Sequence, residues 1–413
     1  MTTAPESLRA ETARRARLGL LLACFALLLT PLALLADKAV VPLVLATAAA
    51  GGLLLGTPAL PWRIVDRPLA LCLGLLTGWC LIASAWSFDA ADAAKLAARI
   101  GLLLFALLYL TGLTRFLDAA QRRRVALGFC LGFAATLLLV VVELAFQSPL
   151  LTLLRGPLAG DYATYSRLNR GISALAVLTW PLALLAWQQQ RRAVALALPP
   201  AVLALTLFSE SSASMVALAA GLLAAALAAW SRGAARLVLV LAIAGALFAA
   251  PLVVEVVQQA DLERSRIIPE TGQYRLHIWS VVSERFSERP IFGWGFDSSP
   301  ALPAGDAQPF RTGGKIIPSH PHNGGLQILV ELGLIGGLMT LGLLAVVAGR
   351  IDRLAPAQRS AAAAMTVTLL GIACTAYGIW QSHWLSVIGA AAAIFVALLP
   401  APEEASSVPP PRS

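Results

Sequence analysis

The stretch LGLLLACFALLLTPLALLA, residues 18–36, decides the fold class of this 413-residue chain. It contains no charged residue, and a helix of this length, at about 1.5 Å per residue, spans most of the roughly 30 Å hydrocarbon core of a bilayer. The basic segment before it offers no small-residue cleavage site at a suitable place. We therefore expect an uncleaved membrane span here, not a signal peptide.

Similar apolar runs recur along the whole chain, which is 58% hydrophobic and 13% charged. Because no water reaches the bilayer core, the backbone of each run must satisfy its own hydrogen bonds, as a helix does. The sequence therefore predicts an all-α membrane bundle of about 12 transmembrane helices, with a long extracytoplasmic loop that contains short helices. The predicted spans are residues 18–36, 39–56, 69–87, 96–114, 125–146, 171–187, 193–208, 214–230, 236–256, 323–348, 361–380 and 384–399.

Basic residues in the short loops indicate the orientation of the bundle, because Lys and Arg are retained in the cytoplasm. The short loops of one side hold only Lys38, Lys95 and Arg99, whereas the other side, with both termini, holds most of the remaining basic residues. We expect both termini to be cytoplasmic. The net charge of +9 then reflects membrane topology and gives no indication of nucleic-acid binding.

Two extracytoplasmic segments, residues 147–170 and 257–322, are too long to be simple connections. Long loops usually carry function, and the arginines of these two depart from the charge pattern of the short loops. The predicted organisation is nine helices, the second long loop, three helices and a disordered cytoplasmic tail, with bounds 1–256, 257–322, 323–400 and 401–413.

The first long loop ends in YSRLNRGIS, which places Arg167 and Arg170 three residues apart at the mouth of the sixth span. Helical spacing puts both side chains on one face. There they can bind an anionic substrate, or extend to lipid headgroups as arginines at a membrane boundary often do. Glu210, between the seventh and eighth spans, is expected on the same side of the membrane.

The second long loop contains QYRLHIWSVVSERF, in which Arg275, Trp279, Val282 and Phe286 recur at helical spacing. The pattern stops before Pro290 and predicts an amphipathic helix on the membrane surface. This helix either caps the bundle, with Trp279 as an interfacial anchor, or presents polar groups to a substrate.

The same loop ends in SHPHNGG just before the tenth span. Asn323 is a suitable N-cap, so His322 would stand at the start of a helix, where backbone N–H groups favour the neutral imidazole. A neutral imidazole can accept a proton, although it can equally serve only as a hydrogen-bond partner of the backbone. Further along, Glu331 is a carboxylate inside an apolar span, and so a functional candidate or the partner of a neighbouring span.

The end of this loop resembles the signature of the O-antigen ligase and polymerase family of bacterial envelope glycosyltransferases. That signature is His-Asn, nine residues, Gly, two residues, Gly, and it matches His322, Asn323, Gly333 and Gly336. The spacing matches throughout.

Three further features are similar to the family pattern. They are Arg275 followed by Trp279, the Pro-x-x-Gly-Trp-Gly at residues 290–295, and the pair Asn169-Arg170 at the sixth span. One feature departs from it, because many members carry Ser-Arg before the eighth span where this chain has Ser211-Ser212. The phosphate-binding residues can therefore be arranged differently here.

The resemblance, closest to O-antigen ligase, implies transfer of a preassembled polysaccharide from undecaprenyl pyrophosphate to the lipid A core, at the periplasmic face of the bacterial inner membrane. It also implies inversion at the anomeric carbon without a metal ion or cofactor. Arginine binds phosphate oxygens bidentately, so Arg275 and Arg170 are expected to be catalytic at the pyrophosphate, with His322 as the base. The candidates for substrate binding are Asn323, Arg167, Trp279 and Glu210.

Other functions stay open at this point. An O-antigen or exopolysaccharide polymerase would use the same lipid-linked donor, and a protein O-glycosyltransferase is less favoured because no added region for protein recognition is evident. In a different class, about 12 spans is also a common size for a secondary transporter. The sequence shows no internal repeat, and its polar groups gather at one surface and not at the midplane.

Overall fold

The computed structural model describes residues 6–55, 64–156, 167–209, 211–260, 268, 270–305, 316–317 and 319–400. These residues form fourteen α-helices and no β-strand, which confirms the predicted all-α class. In chain order the helices are α1 (Glu6–Leu35), α2 (Val40–Leu55), α3 (Arg67–Ala83), α4 (Ala90–Leu113), α5 (Ala119–Ala145), α6 (Pro149–Arg155), α7 (Asn169–Gln188), α8 (Arg192–Phe208), α9 (Ser212–Trp230), α10 (Arg232–Gln259), α11 (Glu270–Glu288), α12 (Gly324–Asp352), α13 (Pro356–Ala373) and α14 (Ser382–Ala397).

Every predicted span corresponds to one of these helices. In the described part of the chain, nine helices, α1–α5, α7, α9, α10 and α12, are long and apolar enough to cross a membrane. The other predicted spans correspond to α8 and α14, which are shorter apolar helices, and to α13, which is not among the nine. The polytopic membrane fold is confirmed, whereas the count of about twelve depends on these three helices.

Prolines do not end the seventh and ninth predicted spans. Pro199 and Pro200 lie inside α8, and Pro251 lies inside α10. Membrane helices tolerate interior prolines where neighbouring groups satisfy the freed carbonyls. Helix α10 also continues to Gln259, beyond residue 256 where the ninth span was predicted to end.

One of the two compact units of the chain consists of Met1–Arg67, Phe105–Leu218 and Ser386–Ser413. Its α1 packs most extensively along α5. Two glycines of α5 allow this close approach, because a Cβ atom on Gly128 or Gly132 would lie 2.4 or 2.3 Å from a carbonyl oxygen of α1. Small residues four apart commonly bring membrane helices together in this way.

The other unit consists of Pro68–Leu104 and Ala219–Leu385. In it, α12 packs against α10, α11 and α13. The predicted amphipathic helix is α11, and its apolar side is buried on α10 and α12. The buried cluster between them includes Ala250, Ile278, Val282, Leu326 and Val330. Helix α11 therefore caps these helices, as one of the two sequence interpretations proposed.

Candidate active site

Helix α12 is interrupted at Gly333, and the turn that follows α11 fills the interruption. Gly333 has a φ of 67°, outside the helical region. The amides of Leu334 and Ile335 consequently donate to carbonyls of that turn, at Pro290 (2.8 Å) and Ile291 (3.4 Å). The second half of α12 thus begins on hydrogen bonds supplied from outside the helix.

The first half of α12 ends in the same manner. The carbonyls of Val330 and Glu331 would accept from residues four positions later in an unbroken helix. Here they accept from the amides of Trp294 and Gly295, at 2.8 and 3.0 Å. The interruption therefore leaves these backbone groups paired, as backbone within a membrane bundle must be.

Two glycines make this exchange sterically possible. A Cβ atom on Gly333 would lie 2.1 Å from the carbonyl oxygen of Ile291, and one on Gly293 would lie 2.5 Å from that of Glu331. Both glycines have positive φ, which other residues adopt only at a cost. The Pro-x-x-Gly-Trp-Gly turn and the first glycine of the His-Asn signature are thus two halves of one interlocking structure.

His322 lies just before α12 and has an unusual backbone. Its φ of 58° is in the left-handed region, and its amide donates to Nδ1 of His320 at 3.1 Å. Asn323 accepts a hydrogen bond from the amide of Leu326 at 3.0 Å, which confirms the predicted N-cap. The cap and the left-handed residue together turn the chain into the helix and hold the imidazole beside it.

The imidazole of His322 is held in one tautomer. Its Nδ1 lies 2.8 Å from the carbonyl oxygen of Ala376, and a carbonyl only accepts, so Nδ1 must carry the proton. In the neutral ring Nε2 is then the proton acceptor. Burial lowers the pKa of His322, and the charge of Arg275 lowers it further, against the hydrogen bond to Ala376, which raises it. The sequence predicted a neutral imidazole because His322 stands at the start of a helix. In the structure the main cause is burial.

Arg275 and Trp279 lie one turn apart on α11 and both face the His322 segment. The indole N–H of Trp279 donates to the carbonyl of Pro321 at 3.0 Å. Burial lowers the pKa of the Arg275 guanidinium, and no acidic side chain among the described residues offsets this effect. A half-buried arginine without such a partner is a strong site for an anion.

His320 completes this cluster and stays neutral. Burial lowers the pKa of His320 to about 3, with further contributions from His322, His383 and Arg275. Its ring centroid lies 4.2 Å from that of His322. Because His320 does not take up a proton near neutral pH, it adds no positive charge against protonation of His322.

The first long loop, in the other unit, uses its arginines differently. Arg170 and Arg155 both form ion pairs with the buried carboxylate of Asp37. Arg167 donates to the carbonyls of Leu151 and Gly156, at 3.3 and 2.9 Å. Its side chain therefore fastens the loop, a role that neither sequence interpretation included.

The structure thus brings together His322, Asn323, Arg275 and Trp279, and separately Arg167 and Arg170. Glu210 lies outside the described residues, so its predicted role stays a prediction. The sequence interpretation missed Ala376, which orients His322 from 54 positions along the chain. Nothing in the sequence near His322 signals that contact.

A model of one protein family matches this region. Residues 194–341 match a family described as O-antigen ligase, and this range contains α11, the docked turn, His322 and the interruption of α12. The resemblance to the O-antigen ligase family is confirmed.

The chain is also similar in sequence to proteins named as polysaccharide ligases. Proteins of Rickettsia conorii and Rickettsia felis, each named "Putative polysaccharide ligase", are 26% identical to this chain over 318 residues. The similarity covers 76% of this chain and 75% and 76% of those proteins. A Rickettsia prowazekii protein of that name is 26% identical over 316 residues, which is 75% of this chain and 76% of that protein. These similarities support a polysaccharide ligase-type function for a multi-pass membrane protein.

Proposed function

We propose that this protein is an O-antigen ligase, a membrane glycosyltransferase that moves a preassembled polysaccharide from undecaprenyl pyrophosphate to a sugar hydroxyl of the lipid A core. The reaction takes place at the periplasmic face of the bacterial inner membrane, with both termini cytoplasmic. The observation that carries the proposal is the fixed tautomer of His322 beside Arg275. One group can accept a proton, and the other can bind the leaving phosphate.

In this reaction the acceptor hydroxyl oxygen attacks the anomeric carbon of the first sugar of the donor. The bond from that carbon to the phosphate oxygen breaks, and its electron pair leaves with undecaprenyl pyrophosphate. The hydroxyl proton passes to Nε2 of His322, which later returns it to water. Attack opposite to the leaving group inverts the configuration at the anomeric carbon.

Arg275 stabilises the negative charge that develops on the pyrophosphate as the bond breaks. A preorganised cation does so more effectively than water, because it does not need to reorient during the reaction. We propose Arg170 as a second pyrophosphate-binding residue, tested by substitution below. Arginines then neutralise the pyrophosphate in place of a divalent cation, so we expect the reaction to need no metal ion or cofactor.

The test is reconstitution with defined substrates. Purified protein in nanodiscs receives undecaprenyl pyrophosphate-linked polysaccharide and lipopolysaccharide that lacks O-antigen, in the presence of EDTA and without ATP. We expect a ladder of capped lipopolysaccharide on a gel. Protein that carries His322→Asn is the matched control, since asparagine tolerates the left-handed backbone but supplies no base.

A ladder that forms only after divalent cations are added would overturn the metal-independent part of the proposal. Transfer by His322→Asn at the wild-type rate would overturn the assignment of the base. A polymerase, the alternative that uses the same donor, is distinguished in a deletion strain. Loss of a ligase leaves full-length polymer on the lipid carrier, whereas loss of a polymerase leaves single repeat units.

A further inference from the structure

We propose that Glu331 is a positioning residue that holds His322 in its proton-accepting tautomer, acting through the segment of residues 374–381. This inference rests on the proposed role of His322 as the base. Glu331 does not touch the imidazole. It anchors the segment whose carbonyl binds the imidazole.

Glu331 is fully buried, and both oxygens of its carboxylate accept hydrogen bonds. Its carboxylate accepts hydrogen bonds from the amide of Asp297 (3.0 Å), from the hydroxyl of Ser299, from the side-chain amide of Gln327 (3.0 Å) and from the indole of Trp380 (2.7 Å). It thereby joins three parts of the chain: residues 297–299, α12 and the segment 374–381.

These partners are neutral donors. Among the described residues, no arginine, lysine or histidine forms an ion pair with Glu331, and the carboxylate is stabilised by directed hydrogen bonds instead. Because each bond to a desolvated carboxylate is strong and directional, the donor groups are held at fixed positions. A carboxylate that acted only through its charge would not need several hydrogen-bond donors directed at it.

The segment 374–381 is attached to this carboxylate at two neighbouring residues. Trp380 donates to it directly, and the amide of Ile379 donates to Gln327 at 3.0 Å, which in turn donates to Glu331. Ala376, three residues before Ile379, supplies the carbonyl that accepts from Nδ1 of His322. The same segment is also closely packed on the second histidine, because a Cβ atom on Gly378 would lie 2.9 Å from the ring of His320.

Loss of the contacts to Glu331 would change the tautomer of His322. If the attachment to Glu331 is lost, the carbonyl of Ala376 is no longer fixed opposite Nδ1, and the neutral imidazole can place its proton on Nε2 instead. That tautomer has no lone pair on Nε2 to accept a proton from the acceptor. Carboxylates that orient a histidine base in other enzymes serve the same purpose by direct contact. Here the effect is transmitted by a backbone segment.

The test reads the tautomer directly. The chain has 4 histidines, so solid-state NMR of protein with ¹⁵N-labelled histidine in nanodiscs gives few signals, and His322→Asn identifies those of His322. Wild-type protein should show a protonated Nδ1 and an unprotonated Nε2 at His322. Glu331→Gln and Trp380→Phe should each convert part of the population to the Nε2-protonated form.

The matched control is Trp384→Phe. Trp384 is also a buried tryptophan near this segment, but its indole N–H makes no hydrogen bond within the described residues. This variant should leave the tautomer unchanged. In the transfer assay, Glu331→Gln and Trp380→Phe should lower kcat about 10- to 100-fold with little change in KM, as loss of a residue that orients a functional group commonly does.

An unchanged tautomer in both Glu331→Gln and Trp380→Phe, with folded protein, would overturn the inference whatever the activity. Equal effects of Trp384→Phe and Trp380→Phe would also overturn it, since the effect would then not require the bond to Glu331. The NMR measurement needs no substrate. If the wild-type protein shows the expected tautomer but transfers no polysaccharide, the proposed function fails and the positioning role stands.

Discussion

Arginine side chains hold the described part of the first long loop, residues 147–170, whereas backbone hydrogen bonds hold the turn in the second, residues 257–322. In the first loop the guanidinium groups bind Asp37 and backbone carbonyls. In the second, the turn exchanges amides and carbonyls with the interrupted helix. Because backbone hydrogen bonds hold this turn, it does not depend on Arg275, which has no acidic partner among the described residues. An arginine that is not used to hold the structure is available to an anionic substrate.

The largest effect is expected at His322. His322→Asn should lower kcat of polysaccharide transfer by about 10²- to 10⁴-fold, the usual contribution of a general base, while the protein remains inserted and folded. The measurement is the rate of ladder formation by purified protein in nanodiscs. If His322→Ala loses stability but His322→Asn does not, the left-handed backbone accounts for the difference, and the loss of activity in both belongs to the base.

The next effect separates the anion-binding arginine from the fastening ones. Arg275→Gln should lower kcat/KM about 100-fold, because a charged donor to the leaving group is lost, with little change in thermal stability in detergent. Arg155→Gln should do the opposite, lowering the free energy of unfolding by about 1 kcal/mol with near-normal transfer. A large loss of stability in Arg275→Gln would contradict the distinction between the two loops.

Arg170 tests whether an arginine of the first loop can also bind the substrate. It shares Asp37 with Arg155. Arg155 also donates to the carbonyls of Leu34 and Leu35, so its substitution to Gln should weaken the first loop more. If Arg170 also binds the pyrophosphate, Arg170→Gln should reduce transfer well below that of Arg155→Gln. Equal transfer rates in the two variants would assign Arg170 to fastening alone.

The interruption of α12 can be tested by a pair of glycines in the same helix. Gly333→Ala places a methyl group against the Ile291 carbonyl and an alanine at positive φ, and should destabilise the protein by roughly 2 kcal/mol or more. Gly342→Ala meets nothing within 4 Å and should be neutral or slightly stabilising. Thermal unfolding monitored by light scattering measures both. Equal stability of the two variants would show that the turn does not depend on the exchange.

The smallest effect is a change in pH dependence. Because burial and Arg275 lower the pKa of His322, transfer should be independent of pH until below about 6.5 and then decrease as the imidazole is protonated. Arg275→Gln removes one lowering influence, so its decrease should begin at a higher pH, whereas Arg275→Lys should keep the wild-type profile. His320 faces the same site, but with a pKa of about 3 it is neutral throughout this range, and His383 adjoins it. Identical profiles for the two variants would place Arg275 too far from His322 to act on it.

Much of the architecture could be predicted from the sequence because it depends on local patterns. Apolar runs predict the spans, the spacing of Arg275, Trp279 and Phe286 predicts α11, and Asn323 identifies the start of α12.

The rest depends on contacts between distant residues. Gly333 could be recognised as part of a signature, but its positive φ is required by the turn at residues 290–295, which hydropathy does not connect to it. The partner of Arg170 lies 133 positions earlier, at Asp37. Ala376 acts through its carbonyl, which every residue has, so no sequence pattern could indicate it. These features follow from tertiary packing, which single-sequence patterns do not contain.

The exchange at Gly333 has a consequence for biogenesis. When α12 enters the bilayer, the amides of Leu334 and Ile335 and the carbonyls opposite them have no partner within their own helix. Exposing them to lipid is costly, so the helix is complete only after the turn has docked on it. The chain order suits this requirement, because the turn is synthesised before α12. Slow docking of the turn should therefore leave an inserted but incomplete protein, which membrane proteases can degrade.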